Sequence, residues 1–228
     1  MTTSISSLAG SSEVRLPSGD ACLIGDLVLP ESFSGLVLFA HGSGSGRHSA
    51  RNRLVAQRLQ QRGIATLLFD LLTVQEEQAD LQTRKHRFDV PLLTRRMQDA
   101  TLWAAAQPQL QHARIGYFGA STGSAAALIA AARLGPRIAA LVSRSGRPDL
   151  AGPVALAAVT APTLLIVGGA DHTVLDLNKQ ALRVMQCDKE LAVVRGATHV
   201  FEEPGALDQV SALSGDWFAA HLSLAHAQ

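Results

Sequence analysis

Gly119-Ala120-Ser121-Thr122-Gly123 sets a serine between two glycines, where the apolar run Ile115–Phe118 gives way to an alanine-rich stretch. A serine hydroxyl is a weak nucleophile at neutral pH. Chemistry there needs a base, a group that orients the base, and donors for the negative charge that develops on a substrate. Where a strand runs through such a string into a helix, the serine is held on a tight elbow. The glycines let two backbones pass closely, and the helix N-terminus favours negative charge nearby. Of the eight histidines, His199 alone falls between the last apolar run and the last helical pattern, in Gly196-Ala197-Thr198-His199. Asp171 follows the run Thr163–Val167 through Gly168-Gly169-Ala170. Ser121, Asp171 and His199 therefore occur in the order nucleophile, acid, base that such an elbow uses. Asp176 and Asp188 fall inside or beyond a helix, and His172 sits on the acid's own loop, so spacing sets them aside.

The N–H of Thr122, next after the serine, is the first expected oxyanion donor. The second is expected from His41-Gly42-Ser43-Gly44-Ser45-Gly46, with the N–H of Ser43 ahead of that of Gly44, and His41 holding the loop. This glycine-rich loop matches neither G-x-x-x-x-G-K-[ST] nor G-x-G-x-x-G, which argues against a phosphate cradle. Arg47, Arg144 and Arg147 each follow a strand end or a candidate loop. They either brace those loops or, with Gly44, contact a substrate, in which case an anionic group suits them. Glu76 and Glu77 read as solvated surface.

These residues need a scaffold, and the chain supplies alternating strand and helix patterns, the signature of a parallel sheet flanked by helices. Glu13–Leu16 and Ala21–Leu29, separated by Pro17-Ser18-Gly19-Asp20, read as an antiparallel hairpin. Further strands are expected at Leu36–Ala40, Ala65–Phe69, Ile115–Phe118, Ile138–Val142, Thr163–Val167 and Leu191–Val194. Helices are expected at Ala50–Arg62, Pro91–Ala106, Thr122–Leu134, Leu175–Met185 and about Gly205–Leu222. Leu71–Val90 has weak periodicity and is long for a loop, which marks it as functional or partly helical. It lies above the C-terminal strand ends, where open parallel sheets bind ligands. One domain over 1–228 is expected, with residues 1–12 loosely attached.

Composition narrows the function classes. Hydrophobic residues are 47%, charged residues 17% and the formal net charge is +1, a globular balance without a basic face for nucleic acid. The densest basic group, Arg84 to Arg96, is diluted by Asp80, Asp89 and Asp99 and reads as a solvated face. Cys22 and Cys187 offer at most one disulfide and no zinc ligand set. The first dozen residues lack a basic start and an apolar core, and no apolar stretch reaches membrane-spanning length. A soluble, cytoplasmic protein without a membrane partner is expected.

Four segments carry a resemblance. HGSGSGRHSARN at His41–Asn52, GASTG at Gly119–Gly123, GGADHTV at Gly168–Val174 and ATHVFEEPGAL at Ala197–Leu207 resemble those of dienelactone-hydrolase-related α/β-hydrolases. They occur in the right order, over most of the chain from residue 13 on. They look closest to the branch found as a partner or fusion of phosphoribosyltransferases. The resemblance implies the α/β-hydrolase fold: a mostly parallel sheet with an N-terminal antiparallel hairpin, helices on both faces and no large cap domain. It also implies a Ser–Asp–His triad and esterase-type hydrolysis. It does not imply dienelactone as substrate, because well-studied dienelactone hydrolases use cysteine where Ser121 stands. Ser143-Arg144-Ser145-Gly146-Arg147-Pro148-Asp149 also looks like this branch, with Ser145 in place of an expected glycine.

The expected chemistry is acyl-enzyme hydrolysis of a small or short-chain ester, with no metal and no cofactor. Two other readings stay open: acyl transfer or thioester cleavage by the same triad, and a non-catalytic accessory protein that keeps the fold.

Overall fold

The computed structural model describes residues 10–223. Strands β1 (Ser11–Ser18) and β2 (Ala21–Val28) form the N-terminal hairpin, turning at Gly19, whose φ of 58° suits a residue without a Cβ. Ser11 and Ser12, expected to hang loose, pair with Val28 and Leu27. Residues 1–9 of that expectation lie outside the described residues. After the hairpin come β3 (Gly35–Ala40), β4 (Ala65–Phe69), β5 (Arg114–Ala120), β6 (Ile138–Arg144), β7 (Thr163–Gly168) and β8 (Lys189–Val194). They build one eight-stranded sheet in the order β1-β2-β4-β3-β5-β6-β7-β8. β2 pairs antiparallel with both β1 and β4, and all later pairings are parallel. β3, β4 and β7 are buried at every position, as strands covered on both faces should be. β8 is the half-exposed edge.

Two helical layers cover the sheet. On one face α1 (Ala50–Gln60) and α7 (Ala206–Leu222) bury Val55, Leu59, Val210 and Phe218 against Phe39, Phe118 and Val142. On the other, α3 (Val90–Ala105), α4 (Thr122–Leu134) and α6 (His172–Val184) pack Met97, Leu128 and Ala181 into the core that contains Tyr117 and Leu141. α4 is buried nearly all round, so small alanines let β5 and α3 approach it.

Two further helices join the five expected, the first making Leu71–Val90 partly helical, one of the alternatives left open there, and the second unforeseen. α2 (Val74–Thr83) lies inside Leu71–Val90, and α5 (Gly152–Ala158) follows β6. α2 is closed by a capping box: the Thr73 hydroxyl accepts from Glu76 N–H, and the Glu76 carboxylate accepts from Thr73 N–H. α6 starts at His172, three residues earlier than its apolar pattern suggested. Both cysteines are free. No helix among the described residues is long and apolar enough to cross a membrane.

Candidate active site

β5 runs into α4 through Ser121, which sits at φ 49°, ψ −122°, a conformation a residue with a Cβ enters only under constraint. The constraint is visible. Ser121 N–H donates to the Arg144 carbonyl at 3.1 Å, and the Ser121 carbonyl accepts from Ser124 N–H and Arg147 N–H, each at 3.1 Å. The flanking glycines are obligatory for the same turn. A Cβ on Gly119 would sit 2.5 Å from Ser124 Cα, and one on Gly123 would sit 2.3 Å from the Ala40 carbonyl oxygen. The loop after β3 therefore lies directly on the elbow, with Gly42 against the Ser121 side chain.

Asp171 and His199 come from the loops after β7 and β8. His199 Nδ1 lies 2.6 Å from Asp171 Oδ2, so an Nδ1–H donates to the carboxylate and leaves Nε2 as the acceptor. Asp171 is mostly covered, while 42% of the His199 side chain is exposed. The two loops interlock, with Ala170 N–H donating to the Ala197 carbonyl at 2.9 Å. Phe201, buried and at φ 57°, anchors the far end of the histidine loop in the core. Among the described residues the Ser121 hydroxyl makes no hydrogen bond, so the structure joins His199 to Asp171 and leaves Ser121 unlinked. Such contacts commonly tighten only when substrate is bound.

Thr122 N–H is the first of α4, one of the amides that no carbonyl within the helix can reach. Ser43 N–H is already engaged, donating to Thr122 Oγ1 at 3.0 Å, and the two hydroxyls are 2.9 Å apart. For Ser43 to serve an oxyanion, that bond has to be exchanged. Gly44, at φ 67°, lines a cavity of ≈ 210 Å³ behind the loop, with Ser43, Thr122, Leu72, Leu81 and Leu93. The cavity wall includes Thr122 but neither Ser121 nor His199.

A model of the dienelactone hydrolase family matches residues 28–224. The chain belongs to that family. It is 53% identical to a dienelactone hydrolase from Anabaena variabilis whose crystal structure covers 93% of this chain and 98% of its own, at a TM-score of 0.91. Est1E from Butyrivibrio proteoclasticus, at 16% identity, shares the fold with a TM-score of 0.77, over 92% of this chain and 98% of its own. Two Mycobacterium tuberculosis proteins, from strains CDC 1551 and H37Rv, are provisionally named phosphoribosyl transferase. Each is 54% identical over 210 residues, 92% of this chain. The match takes in 46% of each of those proteins, so the chain spans about half their length.

In this dienelactone hydrolase family member the three arginines singled out by sequence have different surroundings. Arg47 is held by Asp70 at 2.6 Å, Glu13 at 3.2 Å and Asp26 at 3.4 Å, and its own N–H also donates to Asp70. Arg147 makes a two-pronged pair with Asp149 at 2.8 and 2.7 Å. Arg144 is buried and, among the described residues, makes no ion pair. His41 braces the loop as expected: its Nδ1–H donates to the Gly42 carbonyl at 3.0 Å, and Nε2 accepts from Leu71 N–H at 2.9 Å. Burial pushes its pKa below the usual histidine value.

Sequence reasoning missed the charged frame around α2. Asp80 is buried and accepts from His86 N–H at 2.7 Å and Arg87 N–H at 3.0 Å, and it pairs with the Arg87 guanidinium. Burial alone would raise the Asp80 carboxyl, but these donors outweigh it and hold the pKa below the usual carboxylate range. Glu76, expected on the solvated surface, reaches Arg96 at 2.7 Å, and Arg96 is 2% exposed rather than part of a solvated face. The Thr73-x-x-Glu76 pattern was the available signal for this frame. Among the described residues no three His, Cys, Asp or Glu side chains stand together as a metal site.

Proposed function

We propose that this family member hydrolyses ester-type bonds in small substrates through an acyl-enzyme intermediate on Ser121. The observation that carries the reading is the strained Ser121 elbow, fenced by two glycines that tolerate no side chain. A serine held at positive φ between a strand end and a helix N-terminus has no structural need to be serine, whereas a nucleophile gains exposure and a favourable field there. Ser121 Oγ attacks the substrate carbonyl as His199 Nε2 takes its proton. Asp171 keeps the imidazole in that tautomer and stabilises the imidazolium. Thr122 N–H receives the oxyanion, joined by Ser43 N–H once it gives up the Thr122 hydroxyl. His199 then returns the proton to the leaving alcohol, and water activated by His199 releases the acid. The ≈ 210 Å³ cavity beside Thr122 suits a short acyl or alcohol group.

The transferase name borne by the Mycobacterium relatives belongs to proteins about twice as long as the matched part. The reading proposed for this chain concerns only the part of them that it matches.

The test is turnover of p-nitrophenyl esters, acetate through octanoate, at pH 8. Ser121→Ala is expected to lose at least about 10⁴-fold in rate. Equal activity in wild type and variant overturns the assignment. Labelling by a fluorophosphonate separates hydrolase from accessory protein: a folded wild type that stays unlabelled favours the accessory role.

A further inference from the structure

Asp80 and Arg87 line the cavity beside Thr122, and their pairing fixes more than the end of α2. The Asp80 carboxylate accepts from the N–H groups of His86 and Arg87 and pairs with the Arg87 guanidinium. Arg87 Nη2 also donates to the Asp80 carbonyl at 3.2 Å. Arg87 is thereby clamped by its side chain and by its own N–H. Its carbonyl accepts from the Ser43 hydroxyl at 3.2 Å. The guanidinium leans over the same loop, with Nη1 3.5 Å from the place a Cβ on Gly44 would take.

Three hydrogen bonds then join Arg87 to Thr122 through Ser43, and one arrangement of protons satisfies all of them. A carbonyl only accepts, so the Ser43 O–H points at Arg87. The 2.9 Å contact between the hydroxyls must therefore run from the Thr122 O–H to Ser43 Oγ. Thr122 Oγ1 is left to accept the Ser43 N–H at 3.0 Å. When that N–H turns to an oxyanion, only the last of these bonds breaks. The two hydroxyl bonds persist, and they keep Ser43 tethered between α4 and the clamped Arg87 carbonyl while its donor changes partner.

We propose that Asp80 and Arg87 are positioning residues for the oxyanion donor of Ser43, acting through the Ser43 hydroxyl. The inference rests on the acyl-enzyme reading of Ser121. Losing an oxyanion donor outright costs ~100- to 1,000-fold in rate, and a misplacement of about 1 Å costs up to about 100-fold. Ser43→Ala keeps the N–H and removes only the tether. It is expected to lower kcat about tenfold and to change KM less than about twofold, because the oxyanion forms only in the transition state.

The experiment is a double-mutant cycle on p-nitrophenyl acetate turnover by the full chain, at a temperature where every variant is folded. Asp80→Asn is expected to lower kcat about three- to tenfold when Ser43 is present. In Ser43→Ala it should hardly change kcat, since the tether it acts through is gone. A purely structural clamp would lower Tm without this coupling. Should Asp80→Asn fail to fold, Arg87→Gln, at a side chain 20% exposed, takes its place in the cycle. The inference is overturned if Ser43→Ala keeps its kcat, or if the clamp variant costs the same factor with and without the Ser43 hydroxyl. Equal turnover in Ser121→Ala and wild type overturns the acyl-enzyme reading and this inference with it. Turnover that needs Ser121 but lacks the coupling overturns this inference alone.

Discussion

Two walls flank the loop Gly42–Ser45, and they are built from different forces. On one side the β5–α4 elbow is held by backbone packed against backbone, so close that Gly119 and Gly123 leave no room for a methyl group. On the other, α2 shows exposed Val74 and Leu81 to solvent and is fastened by charge, through Asp80 with Arg87 and Glu76 with Arg96. The elbow resists through steric exclusion, which pH and salt hardly touch. The α2 wall weakens as its carboxylates are neutralised. A site built this way keeps its candidate nucleophile fixed and concentrates its responsiveness in the wall that bounds the adjacent cavity.

The largest break in that contrast is expected at the elbow. Gly123→Ala drives a methyl group into the Ala40 and His41 carbonyls. It should cost about 3 kcal/mol or more, lowering Tm by about 6 °C or more. A variant that melts with wild type would mean the elbow yields easily.

Asp80→Asn strikes the other wall and should cost about 1–3 kcal/mol at neutral pH. Because the folded-state pKa of Asp80 is depressed, its contribution is complete above the unfolded carboxylate value and is lost as pH falls through the folded one. Urea denaturation of the variant should therefore show a smaller drop in stability between pH 5 and pH 3 than wild type. His41 acts in a different window. Its folded pKa is also lowered, so the unfolded chain binds the extra proton and stability falls as pH drops below about 6.5. That part of the acid loss should survive in Asp80→Asn, and its disappearance would contradict the separation of the two windows.

The smallest effect has the opposite sign. Ser145 stands at φ 41° with an enclosed hydroxyl that finds no partner among the described residues. Ser145→Gly should relieve about 1 kcal/mol of backbone strain, raising Tm by about 2–4 °C. No rise would show that the neighbouring bonds, Ser145 N–H to the Ile166 carbonyl among them, already accommodate the serine.

The same division explains what could be read from sequence. Close backbone approach demands glycine, and a buried parallel strand demands an unbroken apolar run, so the elbow, the sheet and the Asp171 and His199 loops leave local marks. The α2 wall leaves almost none. Its helix has too few buried apolar residues for a periodic stripe, and Glu76 meets Arg96 across 20 positions of chain. Only the capping box at Thr73 and Glu76 was local. α5 is short and opens on Gly152-Pro153, which reads as a turn. Spacing likewise treated Arg47, Arg144 and Arg147 alike, although Asp149, two residues after Arg147, was a local mark; the partners of Arg47, Asp70 and Glu13, are distant in the chain.

Gly168 has a mechanical consequence. A Cβ there would lie 2.3 Å from the Ala197 carbonyl oxygen, and Gly169 N–H and Ala170 N–H both donate across to the strand and loop that lead to His199. The loops of Asp171 and His199 are therefore latched into one rigid part, and their 2.6 Å contact is preset within it. Ser121 belongs to a different part, carried by β5 and α4. The tautomer that Asp171 sets on His199 is therefore fixed inside the latch and owes nothing to Ser121, which hangs from a different strand end.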